Sequence, residues 1–292
     1  MARIDPGNSN NIIEAQLDTH LSGIEKVLDA DVLTFCGQIL HGIEDLLRDS
    51  VEEISNRKPR LVVLLETSGG YIEVVQRIVT VFRHHYTTVD YVIPNYAMSA
   101  GTVLAMSGDA IYMDYFSVLG PIDPQVEHDG RLIPALGYIA KYKELIDKSA
   151  KGKLTTAEIT YLISKFDPAE LYYYERAKEL SNSLLKDWLV RYKFKNWKET
   201  KTRKVKVTEA TKKKRAGEIA DMLNDTKVWN SHGRGISMAV LENDVKLQIE
   251  DFGANKPMND AVTGYHRLLR DYMMKRGNKW VIHTRERYAG LA

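Results

Sequence analysis

Residues 60–125 read RLVVLLETSGGYIEVVQRIVTVFRHHYTTVDYVIPNYAMSAGTVLAMSGDAIYMDYFSVLGPIDPQ. Two turns of small residues stand out, Thr67-Ser68-Gly69-Gly70 and Ala97-Met98-Ser99-Ala100-Gly101. Each follows a short apolar run rich in β-branched residues, Leu61 to Leu65 and Val89 to Ile93, which predicts two buried strands. Between them Ile72, Val75, Ile78, Val79 and Phe82 recur at helical spacing. The order is therefore strand, glycine turn, helix, strand, serine turn, helix: two β-α units of a parallel sheet in an α/β protein. Ligands gather at the carboxyl ends of such strands, where both turns would lie.

Outward from this stretch, Asp31 to Ile39 is an extended run closed by Gly37. Ile43, Leu46, Leu47, Val51 and Ile54 then mark a helix ending before Pro59. Ile12, Ile13, Leu17, Leu21, Ile24 and Leu28 predict an amphipathic N-terminal helix behind a polar tail, together residues 1–30. Short extended pieces follow the core stretch at Ala110 to Met113 and Ser117 to Leu119, and Pro121 and Pro124 fix Gly120 to Gln125 as a turn. The β-α core is expected over 31–150. Residues 151–292 read as a mainly helical extension, with helices opening at Thr155-Thr156-Ala157-Glu158 and at Pro168, a third over 207–223 and a last over 259–274.

Composition narrows the classes. The chain has 292 residues, 44% of them hydrophobic, and a formal charge of +2, so no global steering toward nucleic acid or a membrane surface is implied. Residues 191–215 hold twelve Lys or Arg against two Glu, but with no reading module this basic stretch predicts a solvated connector, and a nucleic-acid partner is not expected. The single cysteine, Cys36, sits in an apolar run and reads as a buried thiol. With no disulfide available, no apolar core in the first residues and no long apolar window, a cytoplasmic protein is expected. No His, Cys, Asp or Glu grouping has metal-ligand spacing, and no cofactor fingerprint is present.

Gly69-Gly70 offers backbone N–H groups free of side-chain cover, suited to a phosphate or to the oxyanion of acyl transfer. No lysine lies near enough for a phosphate loop, so an oxyanion is the better fit. Ser99 stands where a strand turns into a helix among small residues, with the Ala100 N–H beside it. It reads either as a nucleophile on an elbow or as a helix N-cap.

These motifs resemble the Clp-protease/crotonase-like superfamily, and within it the serine dehydrogenase proteinase (SDH) branch related to signal peptide peptidase A. Phe35-Cys36-Gly37-Gln38 is similar to the strand end that opens Clp subunits, and Thr67-Ser68-Gly69-Gly70 to their Ser-Pro-Gly-Gly turn. Leu119-Gly120-Pro121-Ile122-Asp123-Pro124-Gln125 resembles the SDH branch in particular. The resemblance covers Asp31 to Ala135 and implies a crotonase/Clp-like β-α superhelical core, a nucleophilic Ser99, and a homo-oligomer built from trimers or rings.

It departs at Asp123, which stands where Clp subunits carry a histidine; a carboxylate is a poor base for serine at neutral pH. The implied alternative is a Ser–Lys dyad. Lys141, 42 residues past Ser99, is the best match, since Gly137, Tyr138 and Leu145 make its helical surroundings fairly apolar, and burial there would ease loss of its proton. Lys148 and Lys151 are the reserves. Asp123 and His232 are assigned supporting roles, while His128, His84 and His85 read as structural or solvated. The expected activity is serine endopeptidase action on a peptide or protein, with Gly69, Gly70 and Ala100 as the oxyanion hole. A crotonase-type acyl-CoA enzyme and a non-catalytic oligomeric scaffold are the rivals.

Overall fold

The computed structural model describes residues 8–122, 125–128, 131–200, 204–229 and 233–292. Its first half runs α1 (Ser9–Leu28), β1 (Asp31–Cys36), α2 (Ile43–Glu52), β2 (Arg60–Glu66), α3 (Ile72–His85), β3 (Thr88–Val92), β4 (Tyr96–Ala97), α4 (Ala100–Met106), β5 (Ile111–Met113) and β6 (Val118–Leu119). A hairpin of β7 (Gln125–His128) and β8 (Arg131–Pro134) leads into α5 (Ala135–Ala150), α6 (Thr156–Lys165) and α7 (Pro168–Trp188). One π-helical turn, Leu189–Lys193, ends that helix. The remainder is α8 (Glu209–Leu223), α9 (Thr226–Trp229), β9 (Ile236–Ser237), α10 (Met238–Asn243), β10 (Glu250–Asp251), α11 (Lys256–Arg276), β11 (Trp280–Thr284) and β12 (Arg287–Leu291).

The main sheet has the order β10-β5-β3-β2-β1-β11-β12. Strands β1, β2, β3, β5 and β10 pair in parallel, while β11 runs antiparallel to β1 and to β12. Both faces are covered, as a parallel sheet requires. Strand alternation divides the side chains. Leu33, Phe35, Leu61, Val63, Leu65, Val89 and Tyr91 face a core shared with α2, α3, α4, α7 and α8. Val32, Cys36, Val62, Leu64 and Val92 face a second core under α1 and α11. Each fully buried aliphatic side chain contributes roughly 1.5–3 kcal/mol, so the two layers are the main stabilising contribution.

The predicted strands and helices of residues 31–122 are present, with ends moved by up to three residues. The sheet, however, draws on both sides of residue 150. Strand β1 lies between β2 and β11, and α11 packs along α1, so the mainly helical segment after residue 150 also supplies strands to the sheet. The run Trp280-Val281-Ile282-His283-Thr284 carries a strand signal that the helical reading of this region passed over. Its hairpin is clamped to the start of β1 by Arg285, whose Nη1 lies 2.6 Å from buried Asp31 and 3.0 Å from Glu25.

The basic stretch is partly tied to the chain's own carboxylates. Arg191 pairs with Asp187 at 2.8 Å, Arg215 with Glu218 at 2.6 Å, and Lys195 with Asp109. Asp109 also holds Arg83 at 2.7 Å and accepts from the Val89 amide at 2.9 Å.

Candidate active site

Strand β2 ends at Glu66 and the chain enters the Thr67–Gly70 turn; β4 ends at Ala97 and the chain enters the Met98–Gly101 turn. The two turns are stitched together. The Thr67 amide donates to Tyr96 O at 3.1 Å, and the Met98 amide donates to Thr67 O at 2.9 Å. A β-carbon on Gly101 would meet Thr67 Cγ2 at 2.3 Å, so glycine there lets α4 press against the first turn. Thr102 Oγ1 lies 2.8 Å from Ala97 O and 2.9 Å from Gly120 O, tying the Leu119-Gly120-Pro121-Ile122 segment to the same place.

Ser99 has φ 53° and ψ −116°, a left-sided backbone that costs a non-glycine residue about 1–3 kcal/mol. It occupies the N-cap position of α4 without capping it: its side chain accepts no hydrogen bond from the helix amides. Thr155 is the contrast. It has the extended φ −80°, ψ 159° of an ordinary cap, and its hydroxyl accepts from the Glu158 amide within a full capping box. Strain in a strand-to-helix turn, with no capping bond gained, is what a nucleophile elbow looks like. Ser99 is also fully buried.

The glycine turn lies directly against it. Ile39 N donates to Gly69 O at 2.9 Å and Tyr71 N to Ile39 O at 2.9 Å, which leaves the intervening Gly70 N–H directed away from Ile39. Among the described residues neither the Gly70 nor the Ala100 N–H has an acceptor. Gly69 differs from the expectation: its N–H donates to Thr67 Oγ1 at 3.0 Å, so Gly69 shapes the turn and its amide is already engaged.

Lys141 lies on α5, whose apolar side, with Ala135 and Ile139, packs on Tyr174 and Ala177 of α7. Its side chain is 45% exposed and its ammonium pairs with Glu144 at 3.1 Å, where the sequence reading expected an apolar setting. Of the reserves, Lys148 is held by Glu158 at 2.8 Å and Glu144 at 3.1 Å, and these hydrogen bonds push its pKa up. Lys151 is exposed. Asp123 and His232 lie outside the described residues, as does the side chain of His128. Burial and nearby Arg57 push the pKa of His85 down.

The sequence reading passed over Glu66. It ends an otherwise apolar strand and, by alternation, points to the α11 side. There it is buried, with His266 Nε2 2.6 Å from Oε2 and Arg270 Nη1 3.1 Å from Oε1. Asn95 Nδ2 adds a contact at 3.3 Å. A glutamate closing the run Leu61 to Leu65 was the available signal.

Residues 38–160 match the ClpP-like SDH-type serine proteinase family. The matched segment contains both turns, Ser99 and Lys141, and overlaps the stretch whose motifs carried the resemblance. An uncharacterized protein of Methanocaldococcus jannaschii is 29% identical over 133 residues, 42% of this chain and 43% of that protein. A second from the same organism is 35% identical over 83 residues, 28% of each chain. This chain therefore spans less than half the length of these curated relatives. Among solved structures, a mutant of a membrane-bound stomatin-specific protease is 21% identical, covering 52% of this chain and 82% of that one, with a TM-score of 0.29. No helix among the described residues is long and apolar enough to cross a membrane.

Proposed function

We propose that this chain is a serine endopeptidase that cleaves peptide bonds by a Ser–Lys mechanism. The observation that supports it most is the backbone of Ser99, strained at φ 53° in a strand-to-helix turn, where its hydroxyl does not cap the helix. Ser99 Oγ attacks the peptide carbonyl carbon, and the proton it loses passes to the base. The Gly70 and Ala100 N–H groups receive the developing oxyanion. Collapse expels the amine, which takes the proton back, and water then hydrolyses the acyl-enzyme.

Lys141 is the proposed base. In the arrangement described it is bound to Glu144, so it has to leave that partner, lose a proton and approach Ser99. Opening of the buried serine and release of Lys141 are therefore required together. Asp123 is assigned to the turn that follows Gly120, and His232 to substrate support. A homo-oligomer is part of the proposal, with the exposed Ile159, Tyr161, Ile163 and Tyr172 of α6 and α7 as contact residues.

Fluorophosphonate labelling read by intact mass tests the mechanism on wild type, Ser99→Ala and Lys141→Ala across neutral to alkaline pH. One adduct lost in both variants is expected. An adduct that persists in Ser99→Ala, or a folded wild type that never labels, would sink the reading. An adduct lost only in Ser99→Ala would keep the nucleophile and remove Lys141.

A further inference from the structure

The proposed chemistry leaves unused a polar cavity of about 160 Å³ on the α11 side of the same strand ends. Gln38, Glu66, Thr67, Ser68, Arg270 and Lys279 line it. Its size suits one side chain rather than a whole small-molecule ligand. One wall is the Thr67-Ser68 backbone that continues into the oxyanion turn, and Tyr96, three residues before Ser99, borders it as well. A group seated there would belong to a peptide whose scissile bond lies within a few residues.

The charges in the cavity are not balanced. Glu66 is buried at its floor and is compensated by His266 and Arg270. Glu66 Oε1 nonetheless accepts no hydrogen bond, although Arg270 Nη1 stands 3.1 Å away, so the guanidinium neutralises it without spending a well-aimed donor on it. Arg270 is 48% exposed and has donors to spare. Lys279 is exposed at the mouth and, among the described residues, has no carboxylate partner. Two cations therefore face one carboxylate. A cationic ligand would meet both of them, whereas an anion would meet two donors and a carboxylate that is already paired.

We infer that this cavity is a subsite that binds a carboxylate of the peptide substrate between Arg270 and Lys279. The inference rests on the peptidase reading for its substrate but not for its test. The carboxylate comes from an acidic side chain or from the peptide's C-terminus, and the experiment separates the two.

The probes are N-acetylated hexa-alanine amides carrying one glutamate at each successive position. Each is paired with its glutamine counterpart, and hexa-alanine with a free C-terminal carboxylate is added. Binding to the Ser99→Ala protein is measured by titration calorimetry at low salt. At one position, or for the free carboxylate, the acid binds roughly fivefold tighter than its neutral partner, the size of one solvent-screened ion pair. That preference falls to within about twofold in Lys279→Gln, whose exposed side chain leaves folding untouched, and in the double variant Glu66→Gln/Arg270→Gln, which buries no lone charge. No acid preference at any position, or a preference that survives both variants, would overturn the subsite. Fluorophosphonate labelling of wild type alongside keeps the two ideas apart. Labelling without acid preference removes only the subsite, and acid preference without labelling removes only the peptidase.

Discussion

A β-carbon placed on Gly69 would stand 3.0 Å from the β-carbon of Ser99 and 2.7 Å from Met98 O. The glycine turn after β2 and the serine turn after β4 thus touch where a side chain would force them apart. Gly69 also has φ +97°, a backbone that L side chains rarely adopt.

Gly69→Ala and Gly101→Ala are therefore expected to destabilise the fold and to damage the site together. Overpacking of this kind costs about 1–3 kcal/mol each, and for Gly69 the backbone strain adds to it. Thermal unfolding should report lower midpoints for both, and labelling of Ser99 should slow at least tenfold even well below those midpoints. An unchanged labelling rate in Gly69→Ala would show that the two turns do not need this contact.

Ser99 itself offers a stability test that does not depend on catalysis. Ser99→Ala keeps the β-carbon and the strain, whereas Ser99→Gly removes both. The glycine variant should be more stable than the alanine variant by about 1 kcal/mol in denaturant unfolding, despite glycine's usual entropic cost. Equal stability, or a more stable alanine, would contradict the strained turn.

Asp109 should control acid unfolding. Burial pushes its carboxyl pKa up, but the Lys195 ammonium, the Val89 amide and the Arg83 guanidinium outweigh this and hold it below the usual value. Because the folded pKa is depressed, its contribution is present above the ordinary carboxylate value of about 3.9 and is lost as pH falls through the folded value. Asp109→Ala should cost about 3–5 kcal/mol at neutral pH by leaving the mostly buried Arg83 without its carboxylate partner. Asp109→Asn should flatten the pH dependence of stability in that acid window; a slope equal to wild type would refute the assignment.

Cys36 should be inert in the native protein. It is 2% exposed, and burial, reinforced by the nearby Glu66 charge, pushes its thiol pKa far up. A thiol reagent such as dithionitrobenzoate should react with it only at the rate of unfolding. Reaction within seconds in native buffer would mean that the layer under α11 opens readily.

The order of strands and turns in residues 31–122 was written in local pattern. The β-branched runs at Leu61 to Leu65 and Val89 to Ile93, the helical spacing from Ile72 to Phe82, and the small residues around Ser99 each report a period or a turn a few residues long. Gly69, Gly70, Ser99 and Ala100 fell together because both turns sit at the carboxyl ends of neighbouring strand segments, and parallel β-α topology alone brings those ends to one edge. The cap-or-nucleophile question about Ser99 was another matter, since a serine before a helix looks the same in sequence whether or not its hydroxyl caps the helix.

Only the tertiary structure decided the rest, because the deciding contacts join residues far apart in the chain. Glu66 meets His266 and Arg270 from α11, β11 inserts beside β1, and Lys195 from the basic stretch finds Asp109. Lys141 had an apolar sequence neighbourhood, yet its surroundings depend on which face of α5 packs against α7, and that face leaves its ammonium with Glu144. Sequence by itself determined the turns and the chemistry their atoms could offer. Which charges are buried, which are paired and which remain to meet a substrate was set by long-range packing, since burial is a property of the neighbours a side chain acquires on folding.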